Sequence, residues 1–407
     1  MPTTTVSSLL DTIDDVGRDP ARGGYSRGVH TPAEATLREW FQAEAGRRGL
    51  AVETDRNGIL WAWWDATGTR EGALVTGSHL DSVPGGGAFD GPLGVASALV
   101  ALDLLRERGV QPRRCLAVAV FPEEEGSRFG VSCLGSRLLT GTLDADHARS
   151  LKDADGTTFA EASRAAGIDP AHLGRDEEAI GRIGDFVELH VEQGRGLIDL
   201  DSAVAIGSTM LGHGRWRLSI TGQGNHAGTT LMSDRADPMI AAAQVVLAAR
   251  KIAAEQDGAR ATVGRLQPVP GGTNVIASRV DLWLDIRHED DAVTATLIER
   301  IHGQAQKICA FEGCRATLTE ESHSGTVHFD GALQRTLGNA LARSFPGAPT
   351  LPTGAGHDAG ILGSVAPTAM LFVRNPTGIS HSPEEFVERD DADAGALALA
   401  DVLEDLL

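Results

Sequence analysis

Several stretches of the 407-residue chain gather side chains that hold divalent cations. His79 and Asp90 flank the glycine-rich run LDSVPGGGAF, Glu123, Glu124 and Glu125 are consecutive, His190 closes DFVELH, and His381 lies near the C-terminal end. Imidazole and carboxylate donors together accept zinc, manganese, cobalt or nickel. A cation so held makes bound water a nucleophile near neutral pH. Asp90 has two oxygens and so can bridge two cations, which a histidine cannot do. Asp81, two residues after His79, is expected to take the second ring N–H of that histidine and fix its tautomer. Three adjacent glutamates repel one another unless cations neutralise them. Neighbouring residues point in different directions, so one glutamate can bind metal while the next accepts a proton from water; spacing alone does not say which.

These residues need a frame that brings them together. Residues 32–49 read as an amphipathic helix begun by Thr-Pro, followed by strands at 58–64 and 73–78. GPLGVASALVALDLLRERG has Pro92 just inside its start and Gly109 at its end, and is apolar nearly all round, as in a buried helix. CLAVAVF, 115–121, is a continuous apolar strand. This β-α-β order with doubly buried strands predicts an α/β fold: a mostly parallel mixed sheet covered by helices. From 212 to 328 the pattern changes to strand (216–222), helix (236–254), strand (ATVGRLQPV), strand (280–287), helix (292–311) and strand (315–321). That is the order of a ferredoxin-like α+β layer, so an inserted domain is expected at 212–328. It divides the first domain into 1–211 and 329–407, the latter with a helix at 330–344, the strand TAMLFV (368–373) and a helix at 391–406. His79, the glutamates, His190 and His381 all follow predicted strands. Open parallel sheets bind ligands beyond the carboxyl ends of their strands, which places all of them on one rim.

Composition narrows the function. With 36 basic and 56 acidic residues the formal charge is −20, which disfavours nucleic acid and anionic membrane as partners. No apolar run approaches the roughly 20 residues of a membrane span, and the start lacks the features of a secretion signal, so a cytoplasmic location is expected. Cys115, Cys133, Cys309 and Cys314 form no C-x-x-C pair and are expected to be reduced and buried. Lysine occurs only at 152, 251 and 307, so there is no G-x-x-x-x-G-K phosphate loop, and G-x-S-x-G is also missing.

The motifs H79-L-D81, G-G-x-F-D90-G, E124-E125-G-S-R-F, E188-L-H190-V-E-Q193-G, N225-H226-A-G-T-T, G-G-T-N274-V-I with L-D-I-R287, G-A-G-H357-D and S-H381-x-P-x-E occur in this order. Together they resemble the di-metal amidohydrolases of the N-carbamoyl-L-amino acid hydrolase, β-ureidopropionase and allantoate amidohydrolase group, within the zinc aminopeptidase and aminoacylase superfamily. The resemblance runs from about residue 30 to the C-terminus. It implies a di-zinc exopeptidase-like catalytic domain and an inserted dimerisation or lid domain.

By that resemblance, His79, Asp90 and His190 hold one divalent cation and Asp90, Glu125 and His381 a second, with Asp90 bridging; zinc or manganese is expected, cobalt or nickel possible. Glu124 matches the general base. His226 matches the group that polarises the substrate carbonyl, usually from the other subunit. Asn274 and Arg287 match groups that hold a substrate carboxylate, for which a guanidinium fork is suited. Gln193, Gly356 and His357 match further substrate contacts. Arg374 stands where the group often has proline or a small residue. A surface salt bridge is the expected role, and reading a second polar group of the substrate is the alternative. The implied protein is a homodimer, paired through the inserted domain, that cleaves the carbamoyl C–N bond of a small anionic ureido substrate. The rival readings are an aminoacylase or dipeptidase of the same superfamily and a catalytically silent binding protein.

Overall fold

The computed structural model describes residues 4–407; the first three positions of the expected 1–211 segment lie outside the described residues. The chain divides into two compact units, Met1–Ser208 with His328–Leu407, and Thr209–Val327.

Among the described residues the larger unit carries a nine-stranded sheet. Its centre is four strands, Leu116–Phe121, Ala73–His79, Ile183–Val191 and Thr368–Val373, each parallel to the next. They are buried along nearly their whole lengths, as their apolar runs require. Antiparallel strands flank them: Leu60–Trp64 with Ala51–Thr54 beyond it on one side, and Val204–Met210 on the other. The sheet is thus mixed and mostly parallel. Register sets the four parallel strands to end at one level, because His79 pairs with Phe121, Gly77 with Glu188, and Phe372 with His190.

The helix Pro92–Glu107 is buried on almost every side, with Leu93, Val95, Leu99, Leu102 and Leu105 in one core with Leu399, Val402 and Leu403 of the helix Arg389–Leu406. Its entry is exact in geometry. Gly91 has φ +86°, and a Cβ there would collide with the ring of His79, so glycine lets the helix start directly behind that histidine. Pro92 then occupies the first turn, where no backbone N–H is needed.

The smaller unit has a four-stranded antiparallel sheet in the order Arg315–Ser324, Gly212–Thr221, Arg279–His288, Arg260–Val269. Numbered by sequence that order is 4-1-3-2, with helices Pro238–Ala254 and Asp291–Phe311 in the β-α-β-β-α-β positions. Alternate residues Trp216, Leu218 and Ile220, with Val280, Leu282, Leu284 and Ile286, pack on Ala241, Ala242, Val245, Ala249, Leu297, Ile298 and Ile301 of the helices. A strand with one face covered shows this period of two. The strands Arg315–Ser324 and Arg260–Val269 form the two edges.

Three of the cysteines are buried; Cys314 departs from expectation in being only partly buried, and all four are free. Among the described residues no helix is long and apolar enough to cross a membrane.

Candidate metal centre

The carboxyl ends of the central strands and the loops after them form the candidate site. His79 and His190 end or nearly end neighbouring strands, and each ring is set by its own backbone. His79 Nδ1 lies 3.0 Å from the carbonyl oxygen of Asp81, and His190 Nδ1 lies 3.0 Å from that of Val191. A carbonyl only accepts, so Nδ1 carries a hydrogen in both rings and Nε2 is the nitrogen left to face a cation. Asp90 meets them there: its Oδ1 is 3.4 Å from His79 Nε2 and 3.2 Å from His190 Nε2, and the two Nε2 atoms are 3.4 Å apart.

The second carboxylate oxygen serves a different group. Asp90 Oδ2 lies 3.5 Å from His381 Nε2, which is 3.4 Å from Glu125 Oε2. Donors bound tetrahedrally at roughly 2.0–2.1 Å from zinc lie about 3.3 Å from one another. Both triads, His79/Asp90/His190 and Asp90/Glu125/His381, therefore have the mutual spacing of ligands around a cation. Glu125 Oε1 is buried without a hydrogen-bond partner, and a cation is a partner that such an oxygen accepts. Charge balance agrees. Burial raises the carboxyls of Glu124 and Glu125 well above the usual range, with nearby carboxylates adding to it. His79 would be depressed by burial, but Glu124, Asp90 and Asp81 outweigh it and hold it well above its ordinary value. Positive charge is in demand at this point of the fold.

Glu124 belongs to neither triad. Its Oε2 is 3.6 Å from His79 Nε2, its Oε1 is 3.6 Å from the thiol of Cys133, and the side chain is almost fully buried. Asp81 corrects the expectation drawn from spacing. Its carboxylate stands 3.7 Å from His79 Nδ1, whose partner is instead the Asp81 main chain. The carboxylate accepts the backbone N–H of Glu124 at 3.2 Å and of Glu125 at 3.1 Å. Asp81 thus sets the turn carrying both glutamates, and its own carbonyl sets the histidine.

Gln193 reaches the same group of side chains. Its Nε2 donates to Asp90 Oδ2 at 2.9 Å and lies 3.3 Å from His381 Nε2, inside the second triad. His357 packs edge-on against His190 with ring centroids 4.5 Å apart; its Nε2 is 3.3 Å from Thr353 Oγ1 and its Nδ1 is buried without a partner. Gly356 precedes it with open space where a Cβ would stand. A third triad, Glu188/His190/His357, has donor spacing too. Glu188, however, already accepts from Ser78 Oγ at 2.9 Å and from the Ala359 N–H at 3.0 Å, so it supports the floor of the site. The motif E188-L-H190 contains Glu188, and the sequence alone assigns it no role. Its signal was available, because residues 188 and 190 of one strand face the same side.

In the smaller unit, His226 and Asn274 adjoin: His226 pairs with Val275, and the Ala227 N–H donates to the Asn274 carbonyl. His226 is exposed, and its Nδ1 accepts the Gly228 N–H at 3.1 Å. Arg287 is paired within its own strand, its Nε and Nη2 donating to the two oxygens of Asp285 at 2.7 and 3.1 Å.

Arg374 makes the salt bridges expected of it. It donates to both oxygens of the buried Asp391 at 2.8 and 3.0 Å and to Asp201 at 3.2 Å, anchoring the first turn of the last helix. Arg374→Ala is expected to lower stability by about 2 kcal/mol, the scale of hydrogen bonds to a buried charge, and to leave the ranking of substrates unchanged. Denaturant unfolding and a substrate panel check the two halves.

Residues 75–405 match the model of peptidase family M20/M25/M40. The chain is 35% identical over 390 residues to the N-carbamoyl-L-amino acid amidohydrolase of Geobacillus stearothermophilus, covering 96% of this chain and 95% of that protein. It is 32% identical over 407 residues to the allantoate amidohydrolase of Bacillus subtilis, covering 98% and 96%. The crystal structure of an amidase of the hydantoinase/carbamoylase family from Burkholderia multivorans matches it with a TM-score of 0.86 at 31% identity, covering 98% of this chain and 96% of that one. With paired carboxylate and histidine triads at the strand ends and these matches along almost its whole length, the chain is a hydrolase of C–N bonds and belongs to peptidase family M20/M25/M40.

Proposed function

We propose that the chain hydrolyses the carbamoyl C–N bond of an N-carbamoyl-L-amino acid or of allantoate, with His79, Asp90 and His190 holding one divalent cation and Asp90, Glu125 and His381 a second. The observation that carries this reading is the division of Asp90, whose Oδ1 faces two histidines while its Oδ2 faces a third. When bound, zinc or manganese, or cobalt or nickel by the same donor chemistry, supplies Lewis acidity and lowers the pKa of water. Glu124, close to His79 yet outside both triads, accepts the proton from that water and returns it to the departing nitrogen. One water is consumed per carbamoyl group, and the amine, ammonia and carbon dioxide leave.

His226 polarises the ureido carbonyl, and Asn274 with Arg287 receives the substrate carboxylate, for which a planar guanidinium is suited. Gln193, Gly356 and His357 line the substrate. The names of the relatives from Geobacillus stearothermophilus and Bacillus subtilis support a ureido substrate. The protein works as a homodimer joined through residues 212–328, whose sheet has two edge strands through which copies can pair. Its four free cysteines suit a reducing compartment, and we place it in the cytoplasm.

The test is ammonia release by the metal-reconstituted protein from allantoate, N-carbamoyl-β-alanine and a panel of N-carbamoyl-L-amino acids. Ammonia from at least one of them, lost on chelation, is expected. Turnover of acyl-amino acids or dipeptides with no ammonia from any ureido compound overturns the proposal in favour of an aminoacylase or dipeptidase, and ligand binding without turnover of any compound identifies a binding protein.

A further inference from the structure

Of the ligands proposed above, His381 is the one the fold holds least firmly. Its side chain is half exposed, whereas those of Asp90 and Glu125 are at 5% and 6% exposure. Its backbone is left-handed, at φ +56°, a conformation that a residue with a Cβ adopts only where its surroundings impose it. His381 also comes from a loop between the strand Thr368–Val373 and the last helix, far in sequence from Asp90. Something must dock that loop.

Glu385 makes the connection. Its Oε1 accepts the backbone N–H of Phe89 at 3.0 Å and of Asp90 at 2.9 Å. Its Oε2 accepts from Ser380 Oγ at 2.9 Å, and that hydroxyl also lies 3.3 Å from Asp90 Oδ2. Its own N–H donates to the Ser382 carbonyl at 3.1 Å. One buried carboxylate therefore ties Ser380, the residue before His381, to the backbone of Phe89 and Asp90 and, through the Ser380 hydroxyl, to the side chain of Asp90, while the main chain of Glu385 holds Ser382. The glycine run is shaped to admit it: a Cβ on Gly87 would collide with Glu385 Oε1. The motif S-H381-x-P-x-E contains this glutamate, and neither the catalytic roles nor the ligand sets assigned above use it.

We propose that Glu385 is a positioning residue that clamps the His381 loop onto the Asp90 loop, so that the affinity of the Asp90/Glu125/His381 site for its cation depends on it. The inference rests on the ligand sets proposed above. Hydrogen bonds behind a ligand commonly govern metal affinity by 10–100-fold, roughly, and here one residue bonds the backbone of Asp90 and, next to His381, the hydroxyl of Ser380.

Metal-free protein is titrated with zinc in competition with a chromophoric chelator, and His381→Ala identifies which binding step belongs to the second site. Glu385→Ala is expected to weaken that step by at least about tenfold while the other step stays within about twofold. Glu385→Gln keeps a carbonyl oxygen to accept both backbone N–H groups and should restore the step to within about threefold of wild type. Two steps unchanged in Glu385→Ala overturn the proposal. Should that variant not fold, Ser380→Ala decides: a loss of about threefold or more confined to the second step supports the clamp, and an unchanged step defeats it. A wild-type protein that binds no zinc defeats the ligand assignment and this inference together, whereas two wild-type steps with unaltered variants defeat the clamp alone.

Discussion

Replacing Glu124 with Gln is expected to cut turnover by at least about a hundredfold, the usual scale of losing a general base, while both metal sites fill as in wild type. The expectation comes from where Glu124 stands. Its carboxylate approaches His79 Nε2 at 3.6 Å but completes neither triad, and Cys133 flanks its other oxygen. An amide of the same shape keeps that packing and removes the ability to take a proton from water. Glu125 is the control, being the carboxylate within reach of His381 Nε2 and carrying a buried oxygen with no partner. Glu125→Gln should lower metal content, measured by elemental analysis after dialysis, and lose activity in proportion to the metal lost. If Glu124→Gln is the variant that loses metal and Glu125→Gln keeps it with turnover reduced, the roles of base and ligand are exchanged.

This pair shows how far sequence reaches. Consecutive glutamates after an apolar strand announce a cation site, because the charge has no other outlet. Which of them faces the histidine and carboxylate triads is decided by the turn, and Glu123 takes φ +55° to make it. Asp81 shows the same limit. Spacing predicted a carboxylate–histidine contact, and the fold satisfies that histidine with a carbonyl while the carboxylate gathers two backbone N–H groups. A two-residue separation permits either arrangement, and only the direction of the chain between them chooses. Gln193 is a third case: its place between Asp90 and His381 depends on loops that lie 103 and 188 residues from it in sequence.

The parallel strands were legible because burial on both faces leaves an unbroken apolar run, as in Thr368–Val373. The smaller sheet was legible for the complementary reason, since one covered face writes alternation into Gly212–Thr221. Helices Leu134–Thr140, Ala145–Ser150, Phe159–Ala165 and Glu177–Arg182 were not read from the sequence. Each is at most two turns long, too short to show a helical period. They hold through side-chain caps such as Thr158 with Glu161, and through a small cluster around Phe129, Leu138 and Phe159.

The remaining expectation concerns which copy of the chain supplies His226. This residue lies in the smaller unit, exposed, with Nδ1 engaged by the Gly228 N–H, so any role at the carbonyl falls to Nε2. In the proposed homodimer each copy lends its His226 to the other. Glu124→Ala and His226→Ala chains, each inactive alone, are unfolded, mixed in equal amounts and refolded. Random pairing makes about half of the dimers mixed. In every mixed dimer one site joins an intact Glu124 to an intact His226 from the other chain, while the second site carries both lesions. About a quarter of wild-type activity should therefore return, counted per site. If His226 serves its own chain, each site in every dimer retains one lesion and no activity returns. Mixed dimers are verified by a mass tag on one chain, so a dead mixture that contains them excludes the shared site.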